Sequence, residues 1–150
     1  MTSAKKDRQN TSAADLLSKL DKESAEELYS HAYHLYKSGK FLEASCVFRI
    51  LLESDPINPK YGMGIAASYH QLKSYQNAAD VYQMVGIIDH HNPIPFFHAA
   101  DCLIQAEDPM SALAYLEIAL GRCGGKKEYE AMKEQALLAI EKIKEELVTE

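Results

Sequence analysis

The side chains here that could do chemistry are histidines, cysteines and a few carboxylates, and their spacing decides whether they do. His31 and His34 stand three apart, a helical spacing that could offer two metal ligands on one face. Such a pair needs further carboxylate or histidine support. His31 also falls in a packing column, so a core or boundary histidine is expected. His90-His91 precedes Asn92-Pro93 and reads as a solvated turn. His98, Asp101 and Cys102 lie close together, but a cysteine nucleophile needs a base and a lowered pKa, and nothing local predicts either for Cys102. Cys46, Cys102 and Cys123 are odd in number, with no CxxC pair. That spacing suggests neither a zinc site nor a thioredoxin-type motif; buried or half-buried free thiols are expected. Gly62-Met63-Gly64 falls inside a predicted helix and is not a phosphate-cradling loop. The expectation is a protein without catalysis, metal or cofactor.

The elements that carry these residues repeat. At a shift of 34 residues, Ala32, Ala66 and Ala100 align, as do Ala44, Ala78 and Ala112. Leu35, Tyr69 and Leu103 form a third column, Phe48, Tyr82 and Leu116 a fourth, and Leu51, Val85 and Ala119 a fifth. Within a unit the spacings are threes and fours, which place the columns on helix faces. Each unit is therefore two amphipathic helices. Small residues sit where the helices cross and large ones fill the space beside them. A single hairpin cannot bury its apolar face, so neighbouring units must stack.

Punctuation supports this. Ser24-Ala25-Glu26-Glu27 has capping-box form, Gly39 stands where the first helix should stop, and Asn58-Pro59, Asn92-Pro93 and Asp108-Pro109 each pair an N-cap with a proline at N1. The pattern predicts helices near 25–38, 41–54, 59–72, 75–88, 93–106 and 109–121. Residues 1–11 read as a mobile polar arm. A short helical pattern follows over 13–21, with Leu16, Leu17 and Leu20 on one side. Residues 12–150 read as one domain, with repeats near 25–58, 59–92 and 93–125. A helix near 127–148, carrying Met132, Ala136, Ala139, Ile140, Ile143 and Leu147 at helical spacing, is expected to cap the stack.

Composition narrows the function. The 150 residues carry a net charge of −6, which argues against binding a phosphate backbone. No apolar run approaches the ~20 residues of a membrane span, and the N-terminus lacks the apolar stretch of a secretory signal. The expectation is an all-α protein that binds neither nucleic acid nor membrane.

The 34-residue pattern resembles tetratricopeptide repeats. Leu28, Ala32, Leu35, Ala44, Phe48, Leu51 and Pro56 occupy the signature places in the first unit, while Gly62 replaces a usually large residue in the second. Two strings narrow the likeness. Glu27 to Tyr33 followed by Tyr36 to Phe41, and Phe96-Phe97-His98-Ala99-Ala100-Asp101-Cys102-Leu103, resemble the first and third repeats of the class II chaperones of bacterial type III secretion. The resemblance implies a cytoplasmic, non-enzymatic, ATP-independent protein. It implies that hydrophobic translocator proteins are masked by holding an extended segment in the concave groove of the repeats. Self-association as a homodimer stays open, as does a role with a transcription factor.

The residues can build such a groove. The first helix of each stacked unit lines the inner surface. Its side chains outside the packing columns are Tyr29, Tyr33 and Tyr36 in unit one, Met63, Ala67 and His70 in unit two, and Phe97, Asp101 and Ile104 in unit three. This stripe is aromatic, soft and short of charge, and it suits an apolar peptide. Gly64 and Ala67 are expected to leave floor space for a client side chain, and Tyr82 to lie in the core. Two alternatives remain at this level. One is a general peptide-binding repeat adaptor; a clamp for acidic peptides would need more cations than Lys37 and Lys60. The other is a structural subunit that oligomerises through the C-terminal helix.

Overall fold

The computed structural model describes residues 20–149. Seven α-helices run through them: α1 Lys22–Lys37, α2 Phe41–Ser54, α3 Pro59–Gln71, α4 Tyr75–Ile88, α5 Ile94–Gln105, α6 Pro109–Cys123 and α7 Glu130–Thr149. A 3-10 turn, Lys127–Tyr129, leads into α7. Each helix packs on the next in the chain, and α1 also touches α3. The result is three antiparallel hairpins stacked in order, an all-α tetratricopeptide-repeat fold with α7 against α6. The expected arm of 1–11 and residues 13–19 of the expected short helix lie outside the described residues.

The helix starts follow the local chemistry, with two corrections. The N-cap of α1 is Asp21, not Ser24. Its Oδ1 accepts from the Ser24 N–H at 2.7 Å, and that bond holds the carboxyl below its ordinary range. Asn58 Oδ1 accepts from Lys60 N–H at 3.1 Å, and Asn92 Oδ1 from Ile94 N–H at 3.0 Å. The two bonds occupy equivalent positions of units two and three, but α5 starts one residue later than expected, at Ile94, so Pro93 and not Asn92 takes the N-cap place there. Asp108 caps α6 through Ser111 N–H at 3.2 Å, ahead of Pro109 at N1.

The first helix of every unit ends in the same way. Lys40 N–H bonds Leu35 O and Gly39 N–H bonds Tyr36 O, the paired pattern of a Schellman motif. Ser74 to Tyr69 with Lys73 to His70, and Asp108 to Leu103 with Glu107 to Ile104, repeat it. The residue at C′ is left-handed in each: φ is 80° at Gly39, 61° at Lys73 and 62° at Glu107. Glycine marks this turn in the sequence only once.

The five columns are the core. All six alanines of the two alanine columns are fully buried, and Phe48, Tyr82 and Leu116 are buried beside them. Leu51, Val85 and Ala119 are buried as well, whereas Tyr69 is only half-buried, its hydroxyl accepting from Arg49. Burial of each large side chain contributes about 1.5–3 kcal/mol. Ala136, Ile140 and Ile143 of α7 close the core at the C-terminal end. His31 is exposed, contrary to expectation, because it lies one position from the Ala32 crossing and faces outward.

Glycines let neighbouring helices approach, within a hairpin and between hairpins. A Cβ on Gly62 would stand 2.5 Å from Val85 Cγ2, and one on Gly86 would stand 2.5 Å from Phe96 Cε2. The missing large residue at position 62 is thus replaced by Val85 reaching across. Arg122 of α6 adds a polar tie. One of its guanidinium nitrogens donates to Gly86 O at 2.6 Å and Asn92 O at 3.2 Å, while the group lies 4.7 Å over the Phe96 ring. A cation at the C-terminal end of α4 is favourable to that helix.

Candidate functional site

The groove stripe begins with an apolar cavity between α1 and α3. Tyr29, Tyr33, Tyr36, Met63 and Ala67 line it, and its volume is about 360 Å³. Helical spacing of four and three puts the tyrosines on one face of α1. Tyr29 meets the Phe48 ring edge-on at 5.8 Å and lies tilted against the Tyr61 ring at 6.0 Å. Burial, with a smaller contribution from Tyr33, pushes its hydroxyl pKa up. Tyr36 meets Phe41 edge-on at 5.3 Å. Tyr33 is 48% exposed, so nearly half of its surface is free.

The floor differs from expectation. Gly64 and Ala67 both line the cavity, but the space in the direction of the missing Gly64 side chain is taken: a Cβ there would stand 2.5 Å from Phe48 Cδ1. The ring fills the gap and becomes the floor. Phe48 therefore serves both the packing column and the cavity. The two groove cations are engaged with the tyrosines: Lys60 Nζ lies 4.4 Å from the Tyr29 ring centroid and Lys37 Nζ 5.3 Å from that of Tyr33. Asp89 and Asn92, before α5, line the same cavity and were not anticipated. Loop residues carry no helical register, so periodicity could not reach them.

The remaining predicted residues gather elsewhere on the stripe. Phe97, Asp101 and Ile104 line a small cavity of about 60 Å³ with Leu116 of α6 and Gln135 and Ala139 of α7. His70 bridges toward them, its Nε2 lying 3.1 Å from Asp101 Oδ2. Its Nδ1 lies 3.4 Å from the Tyr82 hydroxyl. Tyr82 is buried, as expected for the core, and burial raises its hydroxyl pKa far above the ordinary tyrosine range. His98, which no groove position suggested, lies with its ring 5.4 Å from Tyr82 and 6.5 Å from His70. Burial, and next the His70 charge, lower its pKa; Asp101 opposes them.

None of this constitutes an activated nucleophile. Burial, and then the Asp101 charge, push the Cys102 thiol up to about 12, and burial raises Cys123. Cys46 is exposed, not buried or half-buried as expected. Among the described residues no three His, Cys, Asp or Glu side chains are grouped to hold a metal, and no helix is long and apolar enough to cross a membrane.

Stacked hairpins with an apolar face on their first helices define a tetratricopeptide-repeat protein, and the sequence matches the tetratricopeptide repeat family over residues 25–53 and 59–92. Low calcium response locus protein H of Yersinia pestis is 30% identical over 129 residues, which cover 86% of this chain and 77% of that protein. Chaperone protein SicA of Salmonella typhimurium is 32% identical over 117 residues, covering 78% and 68%. The structure of the Yersinia enterocolitica type III secretion chaperone SycD, in complex with a peptide of the translocator YopD, superposes with a TM-score of 0.80. It is 29% identical and covers 88% of this chain and 99% of that one. The chain belongs to the class II type III secretion chaperones, the family of these translocator chaperones.

Proposed function

We propose that this protein is a non-catalytic cytoplasmic chaperone that masks a hydrophobic translocator of a bacterial type III secretion system. An extended segment of the client lies along the face of α1, α3 and α5 and is held until secretion. The observation that carries this reading is the tyrosine-lined cavity of about 360 Å³, with Met63 and Ala67 on its far wall. A tyrosine gives wide contact at low entropy cost and a polar tip that tolerates water. Each apolar anchor that enters contributes about 1–3 kcal/mol. Tyr29, Tyr33, Tyr36, Met63 and Ala67 hold the first anchor, while His70, Phe97, Asp101 and Ile104 carry the segment onward past α5. The SycD complex with a translocator peptide supports the same mode of use.

Among the residues that line the cavity Lys60 is the one cation, against three tyrosines and Phe48, so an acidic peptide finds little there to clamp it. That favours an apolar client over the acidic peptides of an adaptor. Co-expression with the translocators of the same secretion system, followed by pull-down and limited proteolysis, tests the reading. A co-purifying translocator with one short protected segment is the expected result. A chain that captures no translocator contradicts it.

A further inference from the structure

The chain Tyr82–His70–Asp101 ties three helices together in the middle of the groove face. A neutral imidazole has one donor and one acceptor. With Nε2–H given to Asp101 Oδ2 at 3.1 Å, Nδ1 is left to accept from the buried Tyr82 hydroxyl at 3.4 Å. His70 is thereby fixed from α4, and it fixes the Asp101 carboxylate of α5 in turn. Asp101 is half exposed, and among the described residues no group bonds its other oxygen, Oδ1. Of the side chains that share its cavity, Phe97, Ile104, Leu116 and Ala139 have no acceptor and Gln135 has a neutral amide oxygen, so Asp101 is the one carboxylate there.

An extended segment laid on this face brings a backbone N–H at every residue except proline. Burying one without a partner is costly, and a carboxylate is the strongest acceptor available. A segment chosen for its apolar side chains brings few cations but many such N–H groups. We propose that Asp101 Oδ1 accepts a main-chain N–H of the bound segment, with His70 as the positioning residue that aims it. Asp101 then sets the register of the client independently of its side chains. This inference rests on the chaperone reading above.

The test begins with short overlapping peptides spanning the translocators of the same system, titrated against the full chain by fluorescence anisotropy. The tightest binder is then N-methylated at one backbone position at a time. Wild type, Asp101→Ala, His70→Ala and His70→Gln are compared, with helicity checked by circular dichroism. One N-methyl position should weaken wild-type binding about ten- to hundredfold and weaken Asp101→Ala no further than that substitution already does. His70→Ala should lose most of this coupling, and His70→Gln, which keeps a donor, should recover part of it. Coupling of Asp101 to a peptide Lys or Arg instead, shown by Lys→Met or Arg→Met peptides, overturns the proposal in favour of a side-chain cation site. Equal binding by wild type and Asp101→Ala also overturns it, while leaving the chaperone reading standing. Failure of every peptide on the wild-type chain removes both.

Discussion

The Phe48 ring lies so closely over Gly64 that a Cβ on the glycine would stand 2.5 Å from ring atom Cδ1 and 2.6 Å from Cε1. The wall of the groove and the core of the first repeat therefore meet at one glycine. Gly64→Ala must push a buried ring, at a cost of about 1–3 kcal/mol, against a helix-propensity gain of about 1 kcal/mol. Gly121 is the control: it lies in α6 with nothing within 4 Å of its added Cβ. Urea denaturation should show Gly64→Ala losing stability and Gly121→Ala gaining up to about 1 kcal/mol.

The three left-handed turns differ only in side chain. Lys73 and Glu107 bear the Cβ penalty of the αL region, about 1–2 kcal/mol, which Gly39 avoids. Lys73→Gly and Glu107→Gly are expected to stabilise by about 0.5–1 kcal/mol each, after the entropy that glycine gains in the unfolded chain. Gly39→Ala is expected to destabilise by a similar amount. Thermal melts of the three variants check the signs.

Arg122 links α6 to the end of α4 through the carbonyls of Gly86 and Asn92. Hydrogen bonds from a charged donor contribute about 1.5–3 kcal/mol, and Arg122→Ala should lose an amount in that range. Arg122→Lys should recover little, since an ammonium lacks the planar group that covers the Phe96 ring. Hydrogen exchange should show the loss concentrated in α4, α5 and α6.

His98 makes the fold acid-sensitive. Its pKa is lowered from 6.5 by burial and then by the His70 charge, against the opposing pull of Asp101. The unfolded chain thus binds this proton more readily than the folded one, so stability rises with pH across the gap between the two values. It is fully present above the unfolded value and is lost as pH falls from about 6.5 toward the folded one. His98→Phe should flatten this slope, as read from melting temperatures between pH 7.5 and pH 5, expressed as the difference from wild type so that the carboxylates cancel, at roughly the range in which a histidine titrates.

The columns of small and large residues were legible because a 34-residue repeat stacks identical neighbours. Ala32, Ala66 and Ala100 had to be buried together or not at all. The tyrosine stripe was legible for the same reason: Tyr29, Tyr33 and Tyr36 follow the helical period. What escaped notice does not follow a period. The Arg122 tie joins residues 36 and 30 apart in the chain to an unrelated helix end. Asp89 and Asn92 reach the cavity from a connection. Phe48 was legible as core but not as groove floor, because only the three-dimensional fit shows the ring entering the space left by Gly64. Asp21 displaced Ser24 as N-cap because Asp21 lies in the polar stretch ahead of the first column, where the repeat comparison carries no information.

The central claim is that the tyrosine-lined cavity holds the client. Its most direct test is a titration of the translocator segment protected from proteolysis against wild type and Tyr36→Ala/Met63→Glu, both of which should keep native helicity. A glutamate at position 63 places a charge beside the cavity that an apolar anchor would have to bury against. Affinity should fall by at least about a hundredfold in the double variant, the equivalent of losing roughly 2.7 kcal/mol. Affinity unchanged in a well-folded double variant would contradict it.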